Sequence, residues 1–181
     1  MGFKSTFMQL ALVLPSFLIV SSSPVEGRRS PPRERDFQGL ADNYLSLWGG
    51  ELSLVDSVIH PKISLIADRL PSSVGSDVIQ VGNIEEYVAF VQKSRAGWKE
   101  YNFDVIHMVG NGNQMAIRWK MNGITTANMT LPTTLDPGSP VTYNGTDFLI
   151  LDDCTGLVKE VHMAQDFITF FHALGLEAVT V

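Results

Sequence analysis

The sequence has few of the residues on which several classes of protein depend. Its 181 residues include one cysteine, Cys154, so no disulfide can form within the chain. The four histidines are widely spaced and show no metal-ligand spacing such as HxxxH. There is no GxSxG motif, and the cysteine falls in a predicted turn, so nothing supports nucleophilic catalysis. We therefore expect neither a metal site nor a cofactor.

Positive charge is also scarce. The chain has 13 lysines and arginines against 19 aspartates and glutamates, a formal net charge of −6. No basic cluster occurs outside residues 28–35, so the sequence predicts no binding to nucleic acid. Hydrophobic residues make up 45% and charged residues 18%, which indicates one globular domain with a full core.

The N-terminal 23 residues have the layout of a secretory signal peptide. Lys4 precedes an apolar run at residues 7–20, which three serines follow. The run is shorter than the roughly 20 apolar residues of a membrane-spanning helix, and Pro15 interrupts it. We expect cleavage, a flexible leader at 24–35, no lasting membrane span and a secreted or lumenal protein. An uncleaved signal anchor is the alternative.

Two N-glycosylation sequons, at Asn128 and Asn144, agree with the secretory route. The sequence therefore predicts a glycoprotein.

The mature chain changes from helical periodicity to strand alternation. The predicted elements are helices 36–48 and 52–58, strand 63–67, loop 69–81, helix 84–96, strands 101–109, 115–122 and 124–131, loop 132–140, strands 141–151 and 157–165, and helix 167–174. This order predicts an α+β domain at 36–175, in which a curved antiparallel sheet wraps the N-terminal helices as a cone. We expect residues 176–181 to form a C-terminal tail.

The closing segment carries two recognisable motifs: residues 140–148 read PVTYNGTDF and residues 153–162 read DCTGLVKEVH. With these motifs the segment resembles the SnoaL-like polyketide cyclases of the nuclear-transport-factor-2-like superfamily. The interval from Gly156 to Asp166 matches the family without a gap, and the likeness extends over residues 36–175. The chain departs from the family in having His162 for a usual tryptophan, in the Cys154-Thr155 insertion, and in its signal peptide.

The resemblance implies a cofactor-independent cyclase, isomerase or dehydratase that moves protons on a hydrophobic polyketide- or terpenoid-type metabolite. Secondary metabolism is the implied setting, and scytalone dehydratase is a fungal relative in fold. The same fold also serves as a non-catalytic small-molecule-binding module, or as an interaction domain that forms homodimers. These alternatives remain open at this point.

Three residues are candidates for catalysis. Asp166 matches the family's general acid/base, and strand alternation would put it on one face with Glu160 and His162. The resemblance implies that this face points into the cone. Its alternative role is the N-cap of the closing helix. His162, about 13 Å away on a regular strand, would bind the other end of a flat substrate or simply pack. His107 alternates with apolar residues, as a pocket or core histidine would.

Four further residues are candidates for the substrate pocket. Tyr44 and Trp48 share the apolar face of the first helix, so they are core residues or pocket residues. Asp68 ends the first strand, either facing the cavity or pairing with its neighbour in a surface turn. Glu160 belongs to the predicted inward face of the last strand. The orientation of Arg118 and Asp147 depends on strand register and stays open.

Overall fold

The structure, a computed structural model, describes residues 35–72 and 75–177, and the side chains of residues 68–78 lie outside the description. The predicted signal peptide and nearly all of the leader are also outside it. The helices are α1 (Phe37–Gly49), α2 (Val55–Val58), which a 3₁₀ turn (Leu52–Leu54) precedes, α3 (Ile84–Arg95) and α4 (Phe167–Ala173). The strands are β1 (Ile59–Ser72), β2 (Gly75–Val81), β3 (Trp98–Asn111), β4 (Gln114–Thr125), β5 (Pro140–Leu151) and β6 (Val158–Gln165).

Helix α1 begins and ends at residues with clear local reasons. The side chain of Asp36 accepts a hydrogen bond from the backbone N–H of Gly39, which satisfies one of the free donors of the first turn. Gly50, with φ of 113°, ends the helix in a conformation that side chains disfavour. Between these ends, the predicted periodicity buries Tyr44, Trp48 and their neighbours.

The strands form one open sheet in the order β2-β1-β6-β5-β4-β3. The α+β prediction and the cone-like architecture are confirmed. The prediction of a wholly antiparallel sheet is wrong, since β1 and β6 pair in parallel while the other neighbours are antiparallel. These two strands are far apart in the sequence, and a pairing at that distance leaves no local signal.

Two loop and strand assignments also need correction. The predicted loop at 69–81 is the end of β1 and the whole of β2, which form a hairpin. The predicted strand at 124–131 is only the end of β4, which stops at Thr125. The hydroxyl of Thr125 donates to the backbone carbonyl of Asp136, so this buried residue holds the following loop against the strand.

The helices lie against the concave side of the sheet. Helix α1 packs on β3, α3 on β1 and α4 on β5. Strands β4 and β5 alternate strictly, with one set of residues buried beneath the helices and the other facing outward. Within the described residues, no helix has the length and apolar character that crossing a lipid bilayer requires.

Candidate functional site

The concave face of the sheet and the helices above it enclose a cavity of about 370 Å³. Much of its wall belongs to a closed ring of six aromatic side chains, with successive ring centroids 4.3 to 6.4 Å apart. In contact order the ring is Trp98, Tyr101, Phe103, Trp119, Tyr143 and Phe170, and all but Trp98 line the cavity. The wall is therefore largely aromatic and apolar.

Asp147 is the one carboxylate among the described residues of this wall. Strand β5 buries it by simple alternation, in the same series as Tyr143 and Leu149, and the residue is 1% exposed. The hydroxyl of Tyr44 donates a hydrogen bond of 2.8 Å to its Oδ2. The other oxygen, Oδ1, is buried and has no hydrogen-bond partner among the described residues.

Burial raises the pKa of Asp147 from 3.8 to about 7, because the charged form loses its hydration. Hydrogen bonding from Tyr44 and the nearby indole of Trp119 act in the opposite direction and limit the rise. The indole N–H faces the carboxyl, although its geometry does not amount to a hydrogen bond. A carboxyl with this pKa can both take and release a proton near neutral pH.

Tyr44 stays protonated beside Asp147. Its pKa is raised well above the usual range, first by burial and then by the charge of Asp147. Trp48 and Tyr87 lie close to Tyr44. The rings of Trp48 and Tyr87 pack edge to face, with centroids 5.8 Å apart. Tyr44 therefore acts as a hydrogen-bond donor to Asp147 and not as a second acid at neutral pH.

The structure places Asp166 at the end of the sheet as a helix cap. Its two carboxylate oxygens accept hydrogen bonds from the backbone N–H and the hydroxyl of Thr169, at 3.0 and 2.8 Å. These bonds lower its pKa, and the side chain is exposed. The expectation that it faces the cone is wrong, and the alternative of an N-cap is what the geometry shows.

Glu160 and His162 lie on the outer face of the sheet, so their predicted inward orientation is also wrong. Nε2 of His162 is 2.6 Å from Oε1 of Glu160, with the side chains 45% and 38% exposed. The cause is a register shift of one residue between β5 and β6: Leu151 pairs with Val158, but Ile150 pairs with Glu160. One extra residue turns every later side chain to the other face.

His107 is exposed for the same reason. In β3, Val105 pairs with Trp119 but His107 pairs with Arg118, so a register shift lies between them. The residue therefore leaves the apolar face that it was predicted to share. Arg118 is on the outer face as well, where its guanidinium donates to the hydroxyl of Thr146 at 3.2 Å.

The remaining predicted residues divide between the cavity and the surface. Trp48 lines the cavity, and Tyr44 is fully buried behind Asp147. The side chain of Asp68 lies outside the described part of the structure. Of the sequons, Asn128 is exposed in the loop after β4, while Asn144 is half-buried on the outer face of β5.

The sequence of β5 contains a signal for the burial of Asp147, although the orientation of this residue was left open above. Strand β5 alternates without interruption, and the series that contains Val141, Tyr143, Leu149 and Leu151 is otherwise apolar. A single carboxylate on such a face is unusual, because an ionised side chain is costly to bury. Among the described residues, no three histidine, cysteine or carboxylate side chains come together where they could hold a metal ion.

An open curved sheet, helices on its concave face and an apolar cavity with one buried carboxyl define a cone-shaped protein with a small-molecule pocket. The SnoaL-like domain family profile matches residues 42–161, more than half of the chain. The chain belongs to the SnoaL-like family, as the closing segment predicted.

Solved structures with the same fold are distant in sequence. IdmH from Streptomyces antibioticus, a proposed polyketide cyclase, has 17% identity and a TM-score of 0.63, covering 78% of this chain and all of its own. A proposed SnoaL-like polyketide cyclase from Jannaschia sp. CCS1 has 18% identity and a TM-score of 0.59, covering 81% and 99%. AclR from Streptomyces galilaeus, a proposed hydroxylase, has 15% identity and a TM-score of 0.59, and the match covers 78% of this chain and 83% of AclR. No curated protein sequence is significantly similar to this chain.

Proposed function

We propose that this protein is a cofactor-independent enzyme that moves a proton on a hydrophobic, oxygenated metabolite of the polyketide or terpenoid type. The observation that carries the proposal is one buried carboxyl, Asp147, with a pKa of about 7 in the wall of an aromatic cavity. The reaction would be a cyclisation, an isomerisation or a dehydration. IdmH and the Jannaschia protein, both proposed polyketide cyclases, agree with this class of substrate.

Asp147 is the acid–base group in this proposal. Its ionised form takes a proton from a carbon next to a carbonyl group, and the protonated carboxyl then returns the proton to another atom of the same molecule. Tyr44 holds Oδ2 in place and remains protonated throughout. The aromatic wall keeps water away, which sustains the raised pKa on which the base depends.

The size of the cavity indicates a compact substrate. At about 370 Å³ it is near the lower end of ligand pockets, which range over roughly 300–1,000 Å³. Flat ring systems suit the aromatic wall, because their faces and edges can pack against the surrounding rings.

The proposal is tested by deuterium exchange into 2-tetralone, a bicyclic ketone with acidic C–H groups beside its carbonyl. We expect the protein to accelerate exchange at the activated carbon near pH 8, as followed by proton NMR. Asp147→Asn should lower the acceleration by about 10²–10⁴-fold, the usual contribution of a general base. The matched variant Asp166→Asn should leave it unchanged, since the side chain of Asp166 is exposed, caps α4 and does not line the cavity.

Equal exchange in the wild type and Asp147→Asn would rule out Asp147 as the base. The alternative function is a binding module with the same cavity. It predicts that aromatic ligands bind both forms and that neither form accelerates exchange.

We also propose that the chain enters the secretory pathway through residues 1–23, since the apolar run and its serines have the required layout. Expression in a eukaryotic secretory host should yield a protein that lacks these residues and loses mass on treatment with peptide-N-glycosidase. Asn128→Gln and Asn144→Gln would each remove one glycan. A product that retains residues 1–23 in the membrane fraction would favour the signal anchor.

A further inference from the structure

Two unpartnered polar atoms lie in the same part of the cavity wall. They are Oδ1 of Asp147 and the indole Nε1 of Trp119, and neither has a hydrogen-bond partner among the described residues. The two residues are 1% and 2% exposed, and both line the cavity. Leaving a buried polar group without a partner is destabilising, so such a pair calls for an explanation.

The backbone places these atoms next to each other. Trp119 pairs with Gly145 across β4 and β5, and Gly145 precedes Asp147 by two residues on the same face. Because Gly145 has no Cβ, the indole of Trp119 packs against the strand in space that a side chain would occupy. The indole N–H thereby faces the carboxyl of Asp147 closely enough to lower its pKa.

Among the described residues, only one oxygen of the carboxyl lacks a hydrogen-bond partner. Oδ2 is bonded to Tyr44, which does not line the cavity, so the protein itself fills that side. Oδ1 is thus the oxygen left for a molecule in the cavity. A donor, the indole N–H, and an acceptor that can also carry a proton, Oδ1, together match one oxygen atom of a ligand.

We propose that Trp119 and Asp147 bind a single enolic or phenolic oxygen of the ligand, and that Trp119 determines the preference for it. Such an oxygen accepts a hydrogen bond from the indole N–H and shares its own hydrogen with Oδ1. A ketone engages Trp119 alone while Asp147 is ionised, and a hydrocarbon engages neither. This inference deepens the proposed function and rests on it, because an enol is what removal of the carbon proton produces.

The experiment compares 2-naphthol with 2-methylnaphthalene, which has the same shape but a methyl group in place of the hydroxyl. Titrations are followed by fluorescence and by the indole N–H signals of the three tryptophans in a ¹H–¹⁵N spectrum. We expect the wild type to bind 2-naphthol about tenfold or more tightly, since a satisfied buried donor contributes about 1–3 kcal/mol. The Trp119 signal should move with 2-naphthol and much less with 2-methylnaphthalene.

Variants of the tryptophans distinguish the contribution of the indole N–H from that of the aromatic ring. Trp119→Phe should abolish most of the preference for 2-naphthol while it still binds 2-methylnaphthalene. Trp98→Phe is the matched control, because Trp98 also has a buried indole N–H that finds no partner in the described part of the chain, but it does not line the cavity. It should keep the full preference.

An undiminished preference in Trp119→Phe would overturn the inference, and so would equal binding of the two probes by the wild type. If Trp119→Phe does not fold, the wild-type Trp119 signal decides, and its failure to respond to 2-naphthol overturns the inference. The outcomes of the two experiments distinguish the two proposals. If tetralone exchange depends on Asp147 but 2-naphthol is not preferred, the proposed function stands and this inference fails. If 2-naphthol is preferred through Trp119 but exchange does not depend on Asp147, the proposed function fails and only the binding of the oxygen stands.

Discussion

The two faces of strands β5 and β6 carry similar chemistry in different surroundings. On the inner face Asp147 lies in an aromatic cavity, where burial brings its pKa to about 7. On the outer face Glu160 and His162 pair in solvent. The comparison teaches that a titratable residue becomes a candidate for catalysis through the face it occupies. Its match to a family motif is a weaker guide.

The largest expected effect on stability comes from the inner face. Asp147 has a higher pKa in the folded state than in the unfolded chain, so its contribution is fully present below about pH 4 and is lost as the pH rises through about 7. The wild type should therefore lose roughly 2–3 kcal/mol of unfolding free energy between pH 5 and pH 8. Urea unfolding of the wild type and Asp147→Asn measures this. Parallel pH profiles for the two proteins would contradict the buried, titrating carboxyl.

A smaller effect is expected from Gly145, also on the inner face. A Cβ at this position would overlap the indole of Trp119, so Gly145→Ala should lower the unfolding free energy by about 1–3 kcal/mol, as overpacking does. Gly82→Ala is the control, since its nearest neighbour, Oε2 of Glu86, is 3.9 Å away. Thermal unfolding measures both. If the two variants were equally stable, the close packing of Trp119 on β5 would be in error.

Asp166 follows the last strand and caps α4, so it belongs to neither face of the sheet. Asp166→Ala removes the cap of α4 and should lower the unfolding free energy by about 1 kcal/mol, while Asp166→Asn, which can still cap, should change it little. Chemical denaturation gives both values. Tetralone exchange should be unaffected in either variant, and a large loss of exchange would restore Asp166 as a catalytic candidate.

The smallest effect is expected on the outer face. His162→Ala removes an exposed pair with Glu160, so stability should change by about 0.5 kcal/mol or less. The affinity for 2-naphthol should stay the same, because His162 does not line the cavity. A fluorescence titration checks this. A tenfold weaker affinity would show that the outer face communicates with the cavity, and the contrast between the faces would fail.

The parts of the fold that could be predicted from sequence are those with local signals. The apolar face of α1 and its glycine stop indicate the helix directly, and the Gly110-Asn111-Gly112-Asn113 run marks the turn between β3 and β4. The family motif predicted the architecture of the closing segment. The β1–β2 hairpin was mistaken for a loop because residues 71–76, which read PSSVGS, are rich in proline, serine and glycine.

The candidate site could be predicted only where strand alternation is unbroken. It is unbroken in β5, which carries Asp147, and it is shifted by one residue in β6 and in β3. Those two register shifts turn His162 and His107 outward. No residue type at either position predicts the shift. The pairing partner sets the shift, so it belongs to tertiary structure and not to the local sequence.

Gly145 has one more consequence. The glycine itself is not part of the cavity wall, yet it decides how far the indole of Trp119 can recede from the space where a ligand would lie. A side chain there would overlap the indole and force it to shift, which would change the shape of the cavity. Under the proposed function, ligand preference could therefore change through a mutation that alters the shape of the space without altering a residue that contacts the ligand. A search for the origins of ligand preference in related chains should include this hidden position.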